Sequence, residues 1–121
     1  MRKEKIFCVF GADGTMAAYA HAPIVGDVCI LDRLLGHFKK LDKGIMYLLV
    51  SEIVLEMITL KNSNGGPGWI EYDTFFGGSK GIRYFKEKLG FSPYRVRWIW
   101  RSAGNRGLDD RKYKEFIASV L

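Results

Sequence analysis

The chain has 121 residues, 48% of them hydrophobic and 26% charged, with a formal net charge of +6 at pH 7. That length supports a single domain, taken as residues 1–121, and the composition excludes a disordered chain. The positive balance favours anionic partners such as phosphate groups, cofactors, nucleic acid or anionic lipid, without choosing among them.

Cys8 and Cys29 are too few for a disulfide framework and match no zinc spacing. Each lies in an apolar run, so buried reduced thiols are expected, with no metal. No apolar run reaches the ~20 residues needed to cross a bilayer. The opening MRKEKIFCVFGADG meets Gly and Asp too soon for a signal peptide. A cytoplasmic location without a membrane partner is the expectation.

In chain order, EKIFCVF reads as a strand ending at the turn residues Gly11, Asp13 and Gly14. TMAAYAHAPIV reads as the returning strand of an antiparallel hairpin, interrupted at Pro23. DVCILDRLL is one nearly continuous apolar run, the pattern of a strand covered on both faces. The basic loop GHFKKLDKG follows. From Ile45 the period becomes helical, with Leu48, Leu49, Ile53, Leu55, Met57 and Ile58 among polar residues. KNSNGGPG must break that helix.

WIEYDTFF alternates as a strand. Ser79 suits a helix cap, Ile82, Phe85 and Leu89 recur at helical spacing, and Gly90 sits where a left-handed helix end belongs. Phe91 can fold back on the last turn, and Pro93 bars continuation. YRVRWIW alternates again, placing Tyr94, Val96, Trp98 and Trp100 on one face and its arginines on the other. Segregated in this way, the tryptophans suit a core better than a single-stranded nucleic-acid platform. The end, DDRKYKEFIASVL, reads as a short amphipathic helix with Tyr113, Phe116, Ile117, Val120 and Leu121 on one stripe. The order is β-β-β-α-β-α-β-α, an α/β (α+β) fold with a mixed sheet.

Chemistry has several candidate positions. The junction of the basic loop with the long helix, Lys39, Lys40, Lys43 and Gly44, combines cationic side chains with helix-opening amides that lack internal partners, a setting for phosphate. No Walker or GxGxxG pattern accompanies it. Asp32, Glu71 and Asp73 end or occupy neighbouring strands and can supply a base. His21 suits a structural role, and His37 beside the basic loop suits either a structural role or a phosphate contact.

The segments GIMYLLVSEIVLEMI, WIEYDTFFGG and KGIRYFKEKLGFSPYRV together resemble the second half of an N-acyltransferase of the GNAT superfamily. FKEKLGF, with YLL and a glutamate upstream, is more similar to the FemAB-like branch than to ordinary acetyltransferases. The resemblance implies transfer of an acyl group from acyl-CoA, acetyl-CoA among them, or from aminoacyl-tRNA to a small amine. It implies donor-phosphate binding by Lys39, Lys40, Lys43 and Gly44, with Ile45 and Met46 opening the helix. It implies charge stabilisation by Lys86, which stands where ordinary family members often carry a tyrosine. Asp32 or Glu71 would remove the proton.

The chain also departs from the family pattern. It begins at what would be the second strand, and the loop lacks the usual arginine/glutamine and glycine signature. The resemblance therefore implies a fold shortened at its N-terminus and completed by a homodimer or a partner chain. The alternative is a non-catalytic module derived from the same fold, acting through oligomerisation or basic-surface recognition of nucleic acid. No cofactor is required for folding.

Overall fold

The computed structural model describes residues 2–37, 44–63, 65–99 and 113–121. Lys39, Lys40, Lys43 and Trp100 lie outside them. Nine strands and two helices occur among the described residues: β1 Arg2–Lys3, β2 Ile6–Phe10, β3 Met16–His21, β4 Ile24–Val25, β5 Val28–Ile30, β6 Arg33–Gly36, α1 Ile45–Asn62, β7 Trp69–Thr74, α2 Lys80–Lys88, β8 Ser92–Ile99 and β9 Tyr113–Val120. The class is the expected mixed α+β one.

The first hairpin forms as its turn chemistry dictates. Gly11 N–H donates to Thr15 C=O at 2.8 Å, and Thr15 N–H to Asp13 Oδ1 at 2.9 Å. β2 then pairs antiparallel with β3, and β6 adds on the far side, giving a three-stranded sheet in the order β2-β3-β6. Pro23 ends β3, because it has no N–H to continue a ladder.

A six-stranded sheet has the order β1-β4-β5-β7-β9-β8. The β4–β5 turn is pinned to the start of β7: Asp27 Oδ1 accepts from Gly68 N–H at 2.6 Å, and Asp27 C=O from Trp69 N–H at 3.1 Å. That clamp sets the parallel register of β5 with β7, whose connection runs through α1 as parallel strands require.

α1 buries Leu49, Val50, Ile53 and Met57 against Ala18, Ala20, Cys29 and Ile70. Each such fully buried side chain stabilises by about 1.5–3 kcal/mol. The small side chains of β3 let the helix approach closely. Leu48, Leu55 and Ile58, read from the sequence as part of the same stripe, are exposed. No helix among the described residues is long and apolar enough to cross a membrane.

Three readings need correction. DVCILDRLL is two strands, β5 and β6, which belong to different sheets. The C-terminal segment is strand β9, not a helix. It lies between β7 and β8 and pairs antiparallel with both, and those long-range ladders override a stripe that fits helical spacing. Cys8 is exposed; only Cys29 is buried, and burial pushes its thiol up to about 11.

The end of α2 follows its sequence closely. Ser79 Oγ accepts from Ile82 N–H at 3.2 Å. At the other end, Gly90 adopts φ 92°, Gly90 N–H donates to Glu87 C=O, and Phe91 N–H donates to Lys86 C=O. This pair of bonds is the Schellman stop, and it needs a left-handed residue that glycine supplies without strain.

Candidate active site

The site arises where two parallel strands part. β5 and β7 pair from Val28 opposite Trp69 to Ile30 opposite Glu71, and Leu31 N–H makes a last bond to Glu71 C=O at 2.8 Å. Asp32 N–H then turns away, to His21 C=O at 3.1 Å and Ile30 C=O at 2.9 Å. The chain continues as β6 on the other sheet, while β7 runs on beside β9. Tyr72, Asp73 and Thr74 thereby have no strand neighbour on the β6 side among the described residues.

The wedge left by this divergence is a cleft of about 340 Å³. Asp32 stands on one side and Glu71, Asp73 and Thr74 on the other, with Trp98 and Phe116 from β8 and β9 adding aromatic surface. Glu71 is only 6% exposed. At the end of β7 the register with β9 shifts between Glu71 and Thr74, and Asp73 takes φ 50°. That left-handed conformation is uncommon outside glycine and more tolerable for Asp than for most residues. A second, more apolar cleft of about 240 Å³ adjoins on the same sheet and shares Glu71 and Trp98.

Asp32 and Glu71, expected as bases from different strands, are thus brought to one cleft. His21 is not among the residues that line the cleft but bonds one that is: Nδ1 bonds Asp32 Oδ2 at 3.1 Å, and Nε2 bonds Glu4 Oε2. Hydrogen bonding to Glu4, then to Asp32, holds the His21 pKa above its ordinary value.

Lys86 occupies an unexpected place. It is 1% exposed, the most buried side chain of α2, whereas Ile82 is 45% exposed. Its Nζ donates to Thr74 C=O at 2.6 Å and lies 4.8 Å from the centre of the Tyr72 ring. Burial pushes its pKa below the usual lysine value, and the Asp73 charge pulls the other way. The ammonium therefore grips the end of β7 and is not among the residues that line the cleft.

The opening of α1 lies beside the same helix: Tyr47 packs on Phe85 with ring centroids 4.8 Å apart. Gly44 enters α1 with φ 69° and no side-chain cap, and the first turn carries no acidic residue. Ile45 and Met46 are half-buried against the core. Sequence reasoning missed the aromatic walls Trp98 and Phe116 and the His21–Asp32 pairing. Only the pairing of β8 with β9 brings both rings to one place. Lys86 was legible in retrospect, since it follows Phe85 and precedes Leu89 by three, the two half-buried apolar positions on the inward side of α2.

Superposition on solved structures supplies the fold. The ribosomal-protein-S18-alanine N-acetyltransferase from Escherichia coli matches with a TM-score of 0.63 over 98% of this chain and 68% of that one, at 19% identity. The fold is that of the GNAT-type acetyltransferases. An acetyltransferase from Bacillus cereus ATCC 14579 matches with a TM-score of 0.62 over 99% of this chain and 74% of that one, at 18% identity. No protein-family profile matches the chain, and no curated protein matches it. On a GNAT-type fold, the parted strands β5–β6 and β7 become the feature to explain.

Proposed function

We propose that the protein is an N-acyltransferase that moves an acyl group from an acyl-CoA donor, such as acetyl-CoA, to an amine. The observation that carries this reading is the divergence of two parallel strands into a cleft lined by carboxylates and aromatic rings. An extended, amide-bearing donor arm fits a wedge in which one strand has lost its neighbour on one side, because it can take up the backbone groups left there. The donor's phosphates suit the start of α1, where Gly44 presents no side chain and the helix end carries partial positive charge. Lys39, Lys40 and Lys43, just before it in sequence, would add cationic charge.

The donor supplies a thioester carbonyl; the chain supplies the setting for the amine. A protonated amine is drawn by the carboxylates Asp32, Glu71 and Asp73 and by the ring faces beside them. Asp32 or Glu71 then takes a proton from the ammonium, and the neutral nitrogen attacks the carbonyl carbon. The carbon–sulfur bond breaks, and the surplus proton on the nitrogen passes to the departing thiolate. A general base in such a role contributes roughly 10²–10⁴-fold.

Lys86 holds Thr74 C=O and so fixes the turn of β7 that presents Asp73 and Thr74 to the cleft. We read it as a positioning residue that acts through β7. The FemAB-like assignment rests on the same lysine, and an aminoacyl-tRNA donor is the reaction that branch would add.

The test is calorimetric titration with coenzyme A, acetyl-CoA and an aminoacyl-tRNA, alongside mass spectrometry of acetyl transfer to peptide and polyamine acceptors. Saturable acetyl-CoA binding with transfer is expected, and Asp32→Asn should lower turnover about tenfold or more while leaving donor affinity within about twofold. Absence of binding by every donor refutes the reading.

A further inference from the structure

The three-stranded sheet has one face under α1 and one face that nothing covers among the described residues. Directly paired residues share a face, so the register assigns the open side: Ile6, Cys8 and Phe10 of β2, Met16, Tyr19 and His21 of β3, and Arg33 and Leu35 of β6, with the polar His21 and Arg33 at one end. Phe7, Val9, Ala18, Ala20 and Leu34 take the inner side against α1. Ile6 is 69% exposed, Phe10 63% and Leu35 51%. With Met16 they present on the order of 500 Å² of apolar side chain, toward the upper end for a lone soluble chain.

β2 is also the outer strand of that sheet. Ala22 N–H donates to Lys5 C=O at 2.8 Å, so alternation along an antiparallel ladder turns Lys5, Phe7 and Val9 toward β3. Ile6, Cys8 and Phe10 consequently aim their backbone N–H and C=O groups at the free edge. Nothing in IFCVF discourages pairing there: the segment has no proline and no charge, the usual protections of an exposed edge.

We propose that this edge and face form the interface between two copies of the chain, joined antiparallel through β2 about a twofold axis at Cys8. The strand is self-complementary in that register. Ile6 meets the partner's Phe10 twice over, Phe7 meets the partner's Val9, and no charge meets a like charge. A twofold needs one patch that matches itself, and this one does. The apolar area per copy is below the ~800 Å² of a standard interface, with main-chain bonds and the flanking Tyr19 making up part of the difference. The dimer is therefore reversible and concentration-dependent.

The axis gives a direct probe. Cys8 and the partner's Cys8 form a hydrogen-bonded pair with Cα atoms about 5.5 Å apart, a separation a disulfide spans. Cys29 is fully buried and stays silent. Sedimentation of the full chain under reducing conditions should show a monomer–dimer equilibrium. Ile6→Lys and Phe10→Lys should each weaken it roughly tenfold or more with an unchanged circular dichroism spectrum, since both side chains are exposed in the monomer. Diamide oxidation should trap a covalent dimer that Cys8→Ser abolishes. A chain that stays monomeric, a dimer indifferent to both lysines, or failure of the Cys8 crosslink overturns the proposal.

Discussion

Lys86 tests the physical account of the site most sharply, because its stem and its ammonium pull in opposite directions. Truncation by Lys86→Ala removes three buried methylenes, about 0.8 kcal/mol each, and leaves a cavity, so a loss of about 2–4 kcal/mol is expected. Lys86→Met keeps most of the stem and deletes the charge. It forfeits the bond to Thr74 C=O and the contact with the Tyr72 ring, together about 2–5 kcal/mol. It also removes the desolvation penalty of a buried ammonium, several kcal/mol in the other direction. The two nearly cancel, and Lys86→Met should fall within about 1 kcal/mol of wild type.

Urea unfolding followed by far-ultraviolet circular dichroism measures both variants. The pH dependence adds a second reading. Burial lowers the folded-state pKa of Lys86 below its ordinary value of 10.5, so over that alkaline window the unfolded chain binds more protons than the folded one. Wild-type stability should therefore gain a contribution as pH rises toward 10.5, and Lys86→Met should lack it. If the methionine variant is destabilised as severely as the alanine variant, the ammonium outweighs the stem and the reasoning fails.

Two further expectations concern the frame of the site. The raised His21 pKa means that its contacts with Glu4 and Asp32 stabilise fully below about 6.5 and that this contribution fades as pH climbs through the folded value. His21→Gln should thus be less stable than wild type in mildly acidic buffer and converge with it at alkaline pH; a pH-independent gap in urea midpoints would count against the triad. Phe91, 3% exposed and edge-on to Tyr72 at 5.9 Å, closes α2 onto β7. Phe91→Ala should cost about 3–5 kcal/mol in the same unfolding assay, and a loss under 1 kcal/mol would show that the contact does not anchor the helix.

Local chemistry was legible in advance wherever one short segment decides its own conformation. GADG turned the first hairpin, Pro23 ended β3, and Ser79 with Gly90 and Phe91 bounded α2, because caps and turns are satisfied by residues a few positions apart. The C-terminal segment was misread for the opposite reason. Its apolar positions fit helical spacing, and only the presence of β7 and β8 on either side selects the strand. DVCILDRLL likewise carries no mark of the switch at Leu31–Asp32 that sends its two halves to separate sheets.

The site divides along the same line. Asp32, Glu71 and Asp73 could be named as carboxylates on neighbouring strands, yet the cleft between them exists only because the strands part, a relation between residues some forty positions apart. The sequence by itself determined the mixed α+β class, the ends of α1 and α2 and the chemical kinds of side chain at the cleft. The tertiary structure decided which of those groups face one another and that the lysine of α2 turns inward onto a backbone carbonyl. The physical reason is range: hydrogen bonds within a turn are encoded by adjacent residues, whereas strand pairing and burial depend on partners that the chain brings together only on folding.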